Sequence, residues 1–110
     1  MDKAKFEETM QFCITNGYFN PEGDGVKLTE KGQVLLKDKI EKLHTSMINL
    51  GTIPKEVPQE TSKKLLAETF LKSAGNACSC LIFFINEVES IGYENWVRFE
   101  KLDVKNTLPN

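Results

Sequence analysis

At 110 residues, with 40% hydrophobic and 27% charged residues and a formal net charge of −2, the chain has the length and balance of one globular domain and is excluded from the disordered class. Its cations are thirteen lysines and one arginine, Arg98. An acidic balance with almost none of the planar forks that read phosphates and guanine edges makes nucleic acid an unexpected partner.

Residues 2–16 have the pattern of a first helix: Phe6, Met10, Cys13 and Ile14 form one apolar stripe, and Asn16-Gly17 is a stop signal. Tyr18-Phe19 and Val26-Lys27-Leu28 are short β candidates around the turn-rich Asn20–Gly25. Thr29 is a predicted N-cap for a second helix from Glu30 to Leu50. Its inner face is predicted as Val34, Leu35, Ile40, Leu43, Met47 and Leu50, and Lys31, Lys37, Asp38, Lys39, Glu41 and Lys42 are assigned to the outer one.

Pro54 and Pro58 mark a linker. A third helix begins near Gln59 to Ser62, with Leu65, Leu66, Thr69, Phe70 and Ala74 inward. The small residues Ser73–Ala77 fit either a bend between two helices or a close approach within one. Ala77 to Ile91 is apolar nearly all round and is predicted as the central buried helix, with a strand over Cys80–Ile85 as the alternative. That six-residue apolar run is the longest in the chain and far below the ~20 residues of a bilayer span. A last helix is predicted from Asn95 to Leu102, with Glu94 placed to pair with Arg98, and Asp103 to Asn110 as a frayed tail. The fold class is therefore mainly α: a single helical domain over 1–110, with four to five helices and one hairpin near residues 18–28.

Gly17-Tyr18-Phe19, then Val26-Lys27-Leu28-Thr29-Glu30-Lys31-Gly32 and Leu35-Leu36, resembles the wing and following helix of MarR-like winged-helix regulators. The match covers residues 17–36. It implies a hairpin wing feeding a helix. The family places three helices before the wing, and here one is predicted, carrying Glu7, Glu8 and Gln11 and no arginine. The family's DNA reading therefore does not carry over to this chain.

No catalytic constellation is predicted. His44 is the only histidine, and no nucleophile or orienting group lies at a spacing that would engage it; a partly exposed or capping histidine is expected. Cys13, Cys78, Cys80 and His44 have the count of a zinc site, but Cys78-x-Cys80 on a helix directs its thiols ~200° apart. Core thiols are expected, with no metal and no cofactor. Gly23-Asp24-Gly25 lacks the signatures of phosphate or calcium loops and is predicted to be a tight turn. Lys63-Lys64 and Lys72, interrupted by Glu60 and Glu68, are expected on a solvated face.

These absences favour a small non-catalytic protein-binding module, of the inhibitor, immunity or phage counter-defence type, acting on a larger protein. The predicted contact residues are Glu7, Glu8, Glu22 and Asp24 as an acidic face aimed at a basic channel of the target. Tyr18 or Phe19 is the anchor, and Trp96 is a further aromatic candidate. The alternative is a winged-helix-like regulator that binds DNA as a dimer. The Ala77–Ile91 helix is apolar enough for a homodimer core. The charged N-terminus and odd cysteine count predict a soluble cytoplasmic protein without membrane contact.

Overall fold

A computed structural model describes residues 2–107, with side chains through residue 100. The elements run α1 (Lys3–Thr15), β1 (Phe19–Glu22), β2 (Gly25–Leu28), α2 (Glu30–Asn49), α3 (Gln59–Ala74), α4 (Ala77–Phe83), a π-helical segment (Phe84–Val88), α5 (Glu89–Ile91) and α6 (Tyr93–Thr107). The protein is mostly helical, and β1 and β2 form a two-stranded antiparallel hairpin.

Local chemistry sets the helix starts. Asp2 caps α1, its carboxylate accepting from the Lys5 N–H at 2.8 Å. Asn76 does the same for α4 through the Ser79 N–H at 2.8 Å. Gly75 takes φ +90° between α3 and α4, so the small-residue run is a bend and not a continuous helix. The hairpin pairs Phe19 with Leu28 and Glu22 with Gly25, leaving the two-residue turn Gly23-Asp24.

The junction from hairpin to α2 is tightly tied. The Thr29 hydroxyl lies 2.6 Å from the Gly17 carbonyl and 3.0 Å from that of Tyr18, and it accepts from the Gly32 N–H at 3.0 Å. The Thr29 N–H donates to the Tyr18 carbonyl at 3.0 Å. Gly32 lies directly against Tyr18 and Leu28, with no room for a Cβ. Lys31 donates to the Asn16 carbonyl at 2.7 Å and sits over the Tyr18 ring.

The core gathers Cys13, Phe19, Leu36, Ile40, Leu43, Cys80, Leu81, Ile82, Phe84, Val88 and Val97. Phe70, Phe83, Phe84 and Trp96 add a cluster of tilted and edge-on ring contacts, with Phe70 and Phe84 centroids 5.1 Å apart. Residues 77–91 are the central rod, as the sequence predicts, and helical rather than strand. Cys80, Leu81, Ile82, Phe84 and Val88 are buried within the chain, whereas Ile91 at its end is 45% exposed. The rod is not regular: the Glu89 N–H reaches the Phe84 carbonyl five residues back.

Several face assignments are corrected. Val34 is 71% and Leu65 56% exposed, and Thr69 is exposed. Conversely Leu36 and Lys39, not assigned inward, are buried. Lys39 is inside because Glu89 meets its ammonium at 2.7 Å, and Tyr93 donates to the same carboxylate at 3.0 Å. A buried ammonium needs such a partner. Burial, and then the Glu89 carboxylate, raise the Tyr93 phenol well above its usual range. Thr9, on α1, donates to the Asn86 side-chain oxygen at 2.6 Å, fastening α1 to the π-helical segment. Helix α6 begins at Tyr93 and runs to Thr107, past the predicted end at Leu102; residues 108–110 of the predicted tail lie outside the described residues. Glu94 and Arg98 do pair, at 3.9 Å.

Candidate functional site

Helices α2 and α3 lie side by side and antiparallel. His44 and Ser62 touch near their joined ends, and Leu36 and Leu71 share a groove farther along. The groove is open to solvent and has a volume of about 710 Å³. Leu28, Leu36, Ile40, Ala67, Leu71 and Ala77 give it an apolar floor, and Ala67 and Ala77 are the small side chains that give it depth. Lys27, Lys37, Lys63 and Lys64 stand on its rim with Glu41 and Glu60, a formal +2 (four lysines less two glutamates) on a chain of −2 overall. Among the described residues none of these lysines is held in an ion pair.

Sequence reasoning passed over this site because it is assembled from β2, α2, α3 and the start of α4. Lys63-Lys64 reads as a minor basic strip until Lys27 and Lys37 are brought alongside it. The available signal was adjacency: Lys27 precedes floor residue Leu28, and Lys37 follows floor residue Leu36.

The predicted contact residues fare differently. Glu7 and Glu8 are exposed on α1, and Glu22 and Asp24 are exposed at the hairpin; none lines the groove. Phe19 is 1% exposed, so it is a core residue and not a surface anchor. Alternation on β1 turns it inward against Leu28. Tyr18 is half-buried under Lys31. Trp96 is half-buried against Phe70 and Phe83. With Phe83, Ile91 and Phe99 it walls a smaller hollow of about 370 Å³, flanked by Glu87 and Glu100.

The nearest approach to a catalytic pair is His44 and Ser62, Nε2 to Oγ at 2.5 Å. The Ser62 hydroxyl also lies 3.2 Å from the Gln59 carbonyl. The one hydroxyl proton can serve that carbonyl or Nε2, and in either tautomer the contact joins the two side chains. His44 is 1% and Ser62 8% exposed, so the expectation of a partly exposed or capping histidine is corrected. The pair ties α2 to the first turn of α3. Burial, and secondarily the Lys63 ammonium, hold the imidazole below its ordinary range.

That depression has a stability consequence. Above the unfolded value of 6.5 both states carry a neutral ring. As pH falls below it, the unfolded chain takes up a proton that the folded chain refuses. Stability therefore drops by up to about 1.4 kcal/mol per pH unit until the folded value is reached. Urea midpoints at pH 7.5 and 5.5 are expected to fall further apart for the wild type than for His44→Gln. Equal separations would place the ring in water.

The three cysteines are free thiols, Cys13 and Cys80 buried and Cys78 half-buried. Burial pushes the Cys13 and Cys80 thiols up to about 11, with the Cys78 thiol adding to the effect at Cys13, and burial raises Cys78 as well. Protonated thiols are poor nucleophiles and poor ligands. Among the described residues no three His, Cys, Asp or Glu side chains converge on a point. No helix is long and apolar enough to cross a membrane among the residues described. No family model, curated protein or solved structure matches this chain.

Proposed function

We propose that this chain is a non-catalytic protein-docking module, of the inhibitor or immunity type, and that the α2–α3 groove is its working surface. The observation that carries this reading is the lysine-rimmed apolar floor in an otherwise acidic chain. Apolar floors with polar rims are how protein interfaces are made. The burial of the single histidine and its serine partner supports the non-catalytic half.

Three tagged variants test it, each exposed to native-host lysate and read by quantitative mass spectrometry. Ala67→Trp fills the groove. Lys37→Glu with Lys64→Glu reverses its rim without touching the core. The third reverses Glu7, Glu8, Glu22 and Asp24, the acidic face predicted from sequence. The expected result is one stoichiometric larger protein that is retained by the wild type and the acidic-face variant. Both groove variants should lose it, with affinity falling about tenfold or more. A partner lost only on reversal of the four carboxylates would move the contact to α1 and the hairpin.

A winged-helix-like regulator remains the second reading. It is favoured by the hairpin that leads straight into α2 through Thr29. A gel shift across salt separates it, since a DNA binder must lose affinity steeply as salt rises.

A further inference from the structure

Resting on the docking reading, we infer that the occupant of the groove is an amphipathic helix of about three turns, apolar on its buried side and carrying Asp or Glu along both edges. The lining residues set the length. Gln33 to Glu41 on α2 and Glu60 to Leu71 on α3 span about 12 and 17 Å of helix axis at 1.5 Å per residue, close to three turns of a guest helix. A volume of about 710 Å³ accepts a few large side chains from one face and not a whole domain edge.

The walls decide the backbone of the guest. The two long walls are helices whose N–H and C=O groups are already bonded internally, and β2 reaches the groove only at one end, through Lys27 and Leu28, so an extended segment would find no ladder partners along most of its length. A helix satisfies its own backbone and presents only side chains. Anchors at i, i+4 and i+7 would then enter between Leu36, Ile40 and Leu71, over the depth left by Ala67.

The rim decides the charge. Lys37 stands on one wall, Lys63 and Lys64 on the other, and Lys27 at the β2 end. A fatty acid brings one carboxylate at one end and leaves most of this rim unanswered. A helix with acidic residues on both sides of an apolar stripe answers it along its length. The four rim lysines disfavour a guest with lysine edges, and Glu41 and Glu60, on opposite walls, confine the guest's acidic residues to positions that face the lysines.

The test is a displayed library of fifteen-residue alanine-based helical peptides. Leucine is fixed on one face, and the flanking positions are drawn from Glu, Gln and Lys. Wild-type protein is the bait, and Ala67→Trp and the Lys37→Glu, Lys64→Glu pair are counter-baits, each checked for helical content by circular dichroism. Enrichment of Glu at both flanks is expected. The selected peptide should bind the wild type about tenfold or more tightly than either counter-bait, and more weakly as salt rises. Flanks enriched in Gln or Lys, or no groove-dependent peptide, would overturn the proposal. So would dodecanoate titrating into the groove where no peptide does. The two levels fail separately. A lysate partner that depends on the groove while the library selects nothing acidic leaves docking intact and removes the acidic helix. A partner indifferent to both groove variants removes docking itself.

Discussion

Gly32→Ala is expected to destabilise the protein by about 3 kcal/mol or more, although it replaces a helical glycine with the best helix former. Propensity alone predicts a gain of about 1 kcal/mol. Geometry predicts the reverse. A Cβ at Gly32 would overlap the Tyr18 carbonyl oxygen and stand 2.6 Å from Leu28 Cδ1. The carbonyl is the harder obstacle, because it is backbone and already accepts from the Thr29 N–H at 3.0 Å. Relief requires the hairpin to lift from the first turn of α2. That strains the Thr29 bonds to Gly17, Tyr18 and Gly32 together, and overpacking of this kind costs about 1–3 kcal/mol before the lost bonds are counted. Urea denaturation at pH 7.5 reads the result. A variant as stable as the wild type, or more so, would mean that the junction has slack and that the hairpin is not clamped to α2.

The same junction shows what one sequence can disclose. Thr29 as an N-cap, Gly17 after α1 and the turn at Gly23-Asp24 are local events, each determined by residues within a few positions of one another. They were legible. So was the apolar rod of residues 77–91, because nearly all of its faces are covered. The face assignments of α2 and α3 were not. Helix α2 meets β2, α3, α4 and α6, so its inside is a broad sector whose edges depend on which neighbour arrives where. Val34 looks inward by spacing and is solvent-facing. Lys39 looks outward and is buried, because Glu89 reaches it from fifty residues away in sequence. His44 looks peripheral and is enclosed, because Ser62 closes over it. Each reversal depends on a partner in another element, which periodicity cannot supply.

The candidate site was illegible for the same reason. Charge read along the chain is acidic, and the clustering of Glu7, Glu8, Glu22 and Asp24 before Val26 suggested an acidic face. Charge read in space brings Lys27, Lys37, Lys63 and Lys64 from three elements to the rim of one groove. A surface that is basic only after folding leaves no run of basic residues in the sequence.

Phe19→Ala is expected to lower stability by about 3–5 kcal/mol, the cost of emptying a fully buried aromatic site. Phe19 is the first residue of β1 and belongs to the core with Cys13, Cys80 and Leu81. The site has little freedom to collapse: the Tyr18 N–H is held by the Cys13 carbonyl at 2.8 Å, and Leu28 is fixed opposite by the strand register. For a domain of this size each kcal/mol lowers Tm by several degrees, so a fall above about 10 °C is expected. A surface anchor behaves otherwise: its truncation leaves stability within about 0.5 kcal/mol and weakens only the complex. Tyr18→Ala is the internal comparison. That ring is half-buried beneath Lys31, and its loss is expected to cost about 1 kcal/mol, from partial burial and the cation contact. A large drop for Phe19 beside a small one for Tyr18 places the first in the core and leaves the second as the hairpin aromatic within reach of a partner. Near-wild-type stability for Phe19→Ala would lift the hairpin off the core, and with it the β2 end of the groove, where Lys27 and Leu28 stand.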